Sequence, residues 1–145
     1  MPRSKIFLPD VNVWLALASN RHVHNQAAAL WFTGIGEGQA VFCRITQMAL
    51  LRLLTNSRAM GIDAIKPLEA WSVYETLMRD PRVYFSVEPP GLERAWVELT
   101  RRPQVAQSRW TDTYLQAFAR VRELSVVTFD KRFRQFANPE ALILV

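Results

Sequence analysis

The order of predicted elements indicates an α/β fold, in which a central parallel sheet is flanked by helices. Short apolar or β-branched runs alternate with segments of helical periodicity along the chain. Strands that alternate with helices pair in parallel and are covered on both faces. The 145 residues have the size of one ordinary domain, and no repeat, linker or low-complexity tract divides them. The sequence therefore predicts a single domain over residues 1–145.

Two strands and three helices are predicted in the first part of the chain. An apolar run closed by Pro9 and Asp10 indicates the first strand, and apolar side chains at helical spacing indicate the helices. Three glycines end the second helix and form a loop. In order, the elements are strand Lys5–Leu8, helix Asn12–Ala18, helix Asn20–Thr33, strand Gln39–Cys43 and helix Thr46–Thr55.

The second part of the chain predicts three further helices and three strands. Pro67 suits the first turn of a helix, and Asp80-Pro81 ends that helix. Thr111 is expected to cap the last helix, with Asp112 in its first turn. In order, the elements are helix Pro67–Arg79, strand Val83–Val87, helix Leu92–Arg101, a basic loop Arg102–Arg109, the helix after Thr111, strand Ser125–Phe129 and strand Leu142–Val145.

Charge and composition narrow the class of protein. The formal net charge is +5, which suits a polyanionic partner, with nucleic acid as the first candidate. No apolar run approaches the roughly 20 residues that a membrane span needs. The single cysteine, Cys43, has no partner for an internal disulfide and indicates a reducing compartment. We therefore expect a cytoplasmic protein.

Three aspartates are predicted to gather at one edge of the sheet. Asp10 follows the first strand and Asp130 follows strand Ser125–Phe129, and sites in open parallel sheets form at the carboxyl ends of strands. Asp112 begins the helix that leads into the Asp130 strand. Such carboxylates repel one another unless a cation is present, and Mg²⁺ prefers hard oxygen ligands. A metal site of this kind can activate water against a phosphodiester. The alternative is that the aspartates form turns and complement a helix dipole.

Four segments resemble the motifs of the PIN-domain family, and within it the VapC toxins. Leu8–Leu17 resembles the opening motif, in which an aspartate closes the first strand. Thr111–Ala119 resembles the third acidic motif and Val126–Phe133 the fourth. The segment Arg44–Asn56 resembles the variant common in mycobacterial-type VapC proteins. Four motifs in this order cover nearly the whole chain.

The resemblance implies a three-layer PIN-like domain that cleaves RNA with Mg²⁺ or Mn²⁺ as its cofactor. Asp10, Asp112 and Asp130 would then be both the catalytic and the metal-binding residues. It also implies a homodimer, acting as the toxin of a toxin–antitoxin pair, that a small VapB-like antitoxin inhibits. The RNA phosphates are expected to contact basic residues beside the acidic edge, namely Arg101, Arg102, Arg109, Lys131 and Arg132.

One departure from the family concerns the helix Thr46–Thr55. Many PIN nucleases carry a glutamate there, whereas this segment contains no acidic residue. Gln47 lies near the expected position and could offer a neutral oxygen or simply cap that turn. Glu93 is another source for the missing carboxylate.

Three further side chains have two interpretations each. Asn12 either positions a metal-bound water or phosphate, or caps the helix that follows. Thr128 either lends a hydroxyl to the site or is an ordinary strand residue. Trp110 either stacks a base or packs in the interior.

The leading function is thus a metal-dependent endoribonuclease. A catalytically degenerate PIN-like module that binds RNA or a partner is the alternative, favoured by the missing glutamate. A phosphoryl-transfer protein of receiver or phosphatase type is disfavoured, because such sites usually have a lysine and a hydroxyl at later strand ends, where this chain has Asp130.

Overall fold

A computed structural model describes residues 5–103 and 109–145 of the chain. Its five strands are β1 Phe7–Pro9, β2 Ala40–Phe42, β3 Val83–Phe85, β4 Ser125–Thr128 and β5 Leu142–Ile143. The α-helices of the described part are α1 Val11–Ala18, α2 Asn25–Thr33, α3 Arg44–Leu54, α4 Ser57–Met60, α5 Pro67–Arg79, α6 Leu92–Thr100 and α7 Trp110–Arg122. Two 3₁₀ segments span Gly61–Asp63 and Lys131–Gln135.

The strands form one parallel sheet in the order β3-β2-β1-β4-β5. After β1 the chain moves outward through β2 and β3, and then returns to the other side of β1 to place β4 and β5. This reversal makes the β1–β4 pair the topological switch point, where open α/β sheets form their crevice. The Asp10 backbone N–H donates to the Val127 carbonyl at 2.8 Å, so the β1–β4 ladder continues to the edge of that crevice.

Helices cover both faces of the sheet, which confirms the predicted three-layer α/β architecture. On one face, Leu8, Val41 and Val126 pack with α6 and α7. On the other face, Phe42 is fully buried and stacks on Trp14 of α1, with ring centroids 3.8 Å apart. Because strand side chains alternate between the faces, these short apolar strands contribute to both cores.

The second helix begins later than predicted, at Asn25 rather than Asn20. Residues 19–24 form hydrogen-bonded turns, in which His22 N–H donates to the Ser19 carbonyl and His24 N–H donates to His22 Nδ1. The short α4 and both 3₁₀ segments were not predicted. Asn56 marks the start of α4, because its side chain accepts a hydrogen bond from the Arg58 N–H.

The start of helix α7 also differs from the prediction. The expected cap at Thr111 is wrong: α7 begins at Trp110, and the cap position holds Arg109 without a side-chain cap hydrogen bond. Asp112 lies in the first turn of α7, as predicted.

Most of the predicted basic loop, residues 104–108, lies outside the described residues. In the described ranges, none of the helices combines the length and apolarity needed to cross a membrane.

Candidate active site

The sheet edge at β1 and β4 brings the three predicted aspartates into electrostatic contact. Asp10 ends β1 and caps α1, and Asp130 follows β4 and caps the 3₁₀ segment Lys131–Gln135. Charges on Asp112 and Asp130 raise the pKa of Asp10, and the charge on Asp130 raises that of Asp112. The strand-end argument therefore located the three carboxylates in one neighbourhood.

Asp10 is a buried carboxylate held by neutral donors. Its relative exposure is 8%, and its two oxygens accept hydrogen bonds from the Val11 N–H at 2.7 Å and the Thr128 hydroxyl at 3.0 Å. Burial raises the pKa of Asp10 to about 6, against the lowering effect of both hydrogen bonds. No cation of the described residues pairs with this carboxylate in a salt bridge.

Thr128 links Asp10 to Asp130 and Asn12. Its hydroxyl donates to Asp10, and accepts from the Asp130 backbone N–H at 3.0 Å and from Asn12 Nδ2 at 3.4 Å. Thr128 is thus both the last residue of β4 and a positioning group for the site. The cap interpretation of Asn12 is wrong, because Asp10 caps α1 and Asn12 lies inside it. Asn12 Oδ1 is buried without a hydrogen-bond partner in the part of the chain that is described.

Asp112 is paired with a buried arginine. Arg109 Nε donates to Asp112 Oδ2 at 2.9 Å, with the two side chains 4% and 20% exposed. The guanidinium also lies over the rings of Phe133 and Phe136, 5.5 and 5.8 Å from their centroids. Burial raises the pKa of Asp112, and the Arg109 charge and hydrogen bond oppose that shift. Arg109 therefore faces inward, and its predicted contact with RNA phosphate is not available in this arrangement.

Asp130 is paired with an exposed arginine. Arg132 Nη2 and Nε donate to its carboxylate at 2.7 Å and 3.0 Å, and the Arg132 backbone N–H donates at 2.9 Å. The hydrogen bond from Arg132 holds the pKa of Asp130 below its usual value. Arg132 thus neutralises Asp130 while the rest of its own side chain stays in solvent.

The donor set of this edge fits a hard divalent cation in its chemistry. Three carboxylates and two guanidinium groups leave one net negative charge, and the unpaired Asn12 Oδ1 adds a neutral oxygen. In residues 5–103 and 109–145, no three histidine, cysteine or carboxylate side chains converge closely enough to hold a metal ion. Asp112 and Asp130 are each paired with an arginine in this arrangement.

The side chain of Gln47 interacts with Arg44 and Tyr74. It is buried on α3, and its Oε1 accepts from Arg44 Nη1. Burial raises the pKa of Tyr74, and a hydrogen bond with Gln47 opposes that shift. The glutamine therefore serves Arg44 and Tyr74, and neither predicted role of Gln47 describes this arrangement. Glu93, the other source considered for a carboxylate, is exposed in the first turn of α6.

The remaining predicted residues are on the surface. Arg101, Arg102 and Lys131 are exposed. Trp110 is 61% exposed, which contradicts interior packing and leaves its ring available beside α7. The pairing of Arg109 with Asp112 was missed, although an arginine and an aspartate three residues apart at a helix start are a known signal for such a pair.

The chain is similar in sequence to known proteins over nearly all its length. Residues 7–139 match the family described as PIN domain. Ribonuclease VapC41 of Mycobacterium tuberculosis is 40% identical over 144 residues, which covers 96% of this chain and 99% of the relative. Ribonuclease VapC44 of the same organism is 30% identical, with 92% of each chain covered.

Solved structures share the fold at much lower identity. The crystal structure of Mycobacterium tuberculosis VapC20, described as a sarcin-ricin loop cleaving toxin, has a TM-score of 0.68 at 16% identity and covers 96% of this chain and 99% of its own. DNA-bound VapBC from Salmonella typhimurium has a TM-score of 0.63 at 20% identity, with 97% of each chain covered. FitAcB from Neisseria gonorrhoeae has a TM-score of 0.64 at 17% identity, covering 95% of this chain and 96% of its own.

Proposed function

Because the chain belongs to the PIN-domain family and, within it, to the VapC ribonucleases, we propose that it is an endoribonuclease. In this proposal one domain, residues 1–145, hydrolyses RNA phosphodiesters as the toxin of a toxin–antitoxin pair. The observation that carries the proposal is the buried Asp10 carboxylate beside Asp112 and Asp130. A desolvated carboxylate without a cation to pair with destabilises the fold. Groups of this kind cluster at functional sites, where the protein uses them for binding or catalysis.

The cofactor in this proposal is Mg²⁺, with Mn²⁺ as an alternative ion. Asp10, Asp112 and Asp130 would hold it, with Asn12 Oδ1 as a neutral oxygen beside them. When bound, the ion supplies positive charge that polarises the phosphodiester and favours ionisation of the attacking water. To take part, Asp112 and Asp130 would exchange their hydrogen bonds with Arg109 and Arg132 for the ion, which would leave the exposed Arg132 guanidinium free for the substrate.

The chain's own residues orient and charge this site. Thr128 and the Val11 N–H fix both oxygens of Asp10, so its position is set before any ligand arrives. With a pKa of about 6, Asp10 is mostly ionised at pH 7. Thr128 also holds the Asp130 backbone N–H, so one hydroxyl positions the two strand-end aspartates relative to each other.

The RNA would approach over a basic rim. Arg101 and Arg102 follow α6, and Lys131 and Arg132 follow Asp130. All four side chains are exposed. Such side chains neutralise phosphates and release counterions, which makes binding depend on salt. The net charge of +5 agrees in sign with this partner. Arg109 is left out of the rim because it is buried.

The partners in this proposal are a VapB-like antitoxin and a second copy of the chain, in the cytoplasm. Solved relatives named as VapBC and FitAcB support an antitoxin. Large apolar side chains on α3 and α5 support a homodimer, because Met48, Leu68 and Trp71 are exposed. An exposed apolar patch of this kind is typical of an interface.

A catalytically inactive RNA-binding module is the second candidate. It is favoured by Gln47, which stands near the expected position of the glutamate and is engaged by Arg44 and Tyr74. It is also favoured by the two arginines that already neutralise Asp112 and Asp130.

Cleavage of RNA by purified, antitoxin-free protein separates the two candidates. Total bacterial RNA is incubated with Mg²⁺, Mn²⁺ or EDTA, using wild type, Asp10→Asn and Asp112→Asn proteins. The matched control is Asp63→Asn, a half-buried aspartate of the 3₁₀ segment Gly61–Asp63 that pairs with Arg21. We expect discrete fragments that require metal, appear with Asp63→Asn, and fall by at least about a hundredfold with both site variants. Intact RNA under all conditions, with binding retained, would assign the inactive module.

A further inference from the structure

A cavity of about 520 Å³ opens at the carboxyl ends of β2 and β3, beside the aspartates. Its wall includes Thr111, which directly precedes Asp112 in α7. The full lining is Arg44, Ile45, Phe85, Val87, Glu88, Trp96, Trp110, Thr111 and Tyr114. The volume lies in the range of small-ligand sites, and the aromatic lining offers flat apolar faces.

The aromatic walls are held in place before any ligand binds. Trp96 Nε1 donates to the Thr113 hydroxyl at 3.0 Å, which fixes the indole against α7. The Trp96 ring meets Trp110 and Tyr114 edge to face, with centroids 6.0 Å and 5.2 Å apart. Trp110 still exposes 61% of its surface. The cavity therefore presents a supported, solvent-facing indole on which a planar group can stack.

Two charged groups line the same cavity. The Tyr114 hydroxyl donates to Glu88 Oε1 at 3.0 Å, which orients the carboxylate. The Arg44 guanidinium lies 4.8 Å from the centroid of the Phe85 ring. A carboxylate in the lining disfavours a phosphate as the occupant. It favours a planar group whose edge donates hydrogen bonds.

We propose that this cavity binds an unpaired guanine base of the RNA substrate, stacked on Trp110 and hydrogen bonded to Glu88. The proposal rests on the proposed ribonuclease function, because it places the base beside the phosphodiester that the aspartates would attack. Single-stranded RNA is commonly recognised by aromatic stacking and by hydrogen bonds to the base edge.

Guanine fits Glu88 better than the other bases do. Its Watson–Crick edge carries two adjacent donors, N1–H and the N2 amino group, which match the two oxygens of a carboxylate. Adenine and cytosine each set an acceptor nitrogen beside their amino group, and that nitrogen would face the negative charge. Uracil offers one donor between two carbonyls. Arg44, as a cation on the same lining, suits the acceptors O6 and N7 of guanine.

The test measures binding separately from cleavage. Wild type protein in EDTA is titrated against labelled oligouridines that carry one central guanosine, inosine or adenosine, and Kd is read from fluorescence anisotropy. The same titrations use Glu88→Gln, Trp110→Ala and the control Glu37→Gln, an exposed glutamate before β2 at the opposite edge of the sheet.

We expect the guanosine oligonucleotide to bind about tenfold more tightly than the adenosine one, with inosine between them. Glu88→Gln should abolish that preference. Trp110→Ala should weaken the binding of every oligonucleotide by about fivefold or more. Glu37→Gln should bind all of them as wild type does. Equal Kd values for guanosine and adenosine, or an unchanged preference in Glu88→Gln, would overturn the proposal.

Parallel cleavage assays distinguish this failure from failure of the ribonuclease. If the protein cleaves RNA in a metal-dependent way but binds all bases equally, the guanine site is overturned and the ribonuclease function stands. Guanine-selective binding without any cleavage supports the site and overturns the enzyme. Base-independent binding, together with loss of a co-purified antitoxin from Glu88→Gln and Trp110→Ala, would assign the cavity to a protein contact and overturn the proposal.

Discussion

The candidate active site has two halves that carry negative charge in different ways. In the neutral half, Asp10 is buried and is held by Thr128 and a backbone N–H, and no cation of the described residues pairs with it. In the arginine half, Asp112 and Asp130 are each paired with a guanidinium group, from Arg109 and Arg132 respectively. Hydrogen bonding to Arg132 lowers the pKa of Asp130, whereas burial raises the pKa of Asp10 and, against the opposing effect of Arg109, that of Asp112.

This difference indicates which half of the site a bound divalent cation would stabilise more. Asp130 is charged at little cost, since Arg132 compensates it. The ionised form of Asp10 destabilises the fold, because hydrogen bonds from neutral donors do not fully replace the hydration that the carboxylate loses on burial. A divalent cation therefore gains most by contact with the neutral half, whereas at the arginine half it has to compete with two guanidinium groups.

Arg109→Met should have the largest effect on stability. It keeps an apolar side chain near Phe133 and Phe136 but leaves Asp112 without its buried partner. We expect the free energy of unfolding to fall by about 2–4 kcal/mol, measured by urea denaturation. Exposed Arg58→Met is the matched control and should change it by less than about 0.5 kcal/mol. Added Mg²⁺ should raise the Tm of Arg109→Met more than that of wild type, and an equal shift would show that Arg109 does not compete with the ion.

Asp10→Asn should make the protein more stable at pH 7. A pKa raised from 3.8 to about 6 corresponds to about 3 kcal/mol of cost for the charged form, and asparagine caps a helix as well as aspartate does. Because the folded pKa is above the unfolded one, the cost is full above pH 6 and disappears as pH falls from 6 to 3.8. We expect a gain of about 2 kcal/mol in denaturation at pH 7 and almost none at pH 3.5.

Asp130→Asn should not stabilise the protein at pH 7, in contrast to Asp10→Asn in the same site. Its pKa is lowered by Arg132, so the charged form is the favoured one in the fold. This substitution should leave stability unchanged or reduce it at pH 7. A gain as large as that of Asp10→Asn would remove the distinction between the two halves.

Thr128→Val should alter the pH dependence of cleavage. Loss of its hydroxyl removes a hydrogen bond that lowers the pKa of Asp10, so that pKa rises further. The acidic limb of kcat/KM should then move to higher pH, with a stability loss of about 1–2 kcal/mol. Thr33→Val, which removes an exposed hydroxyl, is the control. If the acidic limb of kcat/KM does not move in Thr128→Val, ionisation of Asp10 is not what sets that limb.

Arg132→Gln should have the smallest effect on stability. The arginine side chain is 68% exposed, and an exposed ion pair contributes little to stability because solvent screens it. Since the pair lowers the pKa of Asp130, any loss should be present above pH 4, and should shrink in high salt and at lower pH. Thermal melts at two salt concentrations measure it, and a loss of several kcal/mol would contradict the exposed pair.

The sequence was sufficient for the sheet and for the neighbourhood of the aspartates. Asp10 directly follows β1 and Asp130 lies two residues after the end of β4, and the carboxyl ends of parallel strands meet at one edge. Helix Pro67–Arg79 was predicted at both ends, because a proline opens it and Asp80-Pro81 closes it. The predicted starts of α2 and α7 were wrong. The turns at residues 19–24 depend on local hydrogen bonds that periodicity does not show, and α7 begins without a side-chain cap that the sequence could have indicated.

The contacts within the site could not be read from the sequence. Thr128 reaches Asp10 across 118 positions, and its role depends on the β1–β4 register. The cavity joins Arg44, Glu88 and Trp96 from separate segments. Burial of Arg109 depends on how Phe133 and Phe136 pack over it. Each of these contacts is set by tertiary packing, which leaves no local pattern.

Calorimetric titration of Mn²⁺ into antitoxin-free protein tests the central claim most directly. Wild type, Asp10→Asn and Asp130→Asn are compared at pH 7.5, with Asp63→Asn as the control. We expect wild type and Asp63→Asn to bind the ion alike, Asp130→Asn to bind it several-fold more weakly, and Asp10→Asn to show no binding. Binding by Asp10→Asn equal to that of wild type would contradict the claim that the buried, uncompensated Asp10 is the group that recruits the cation.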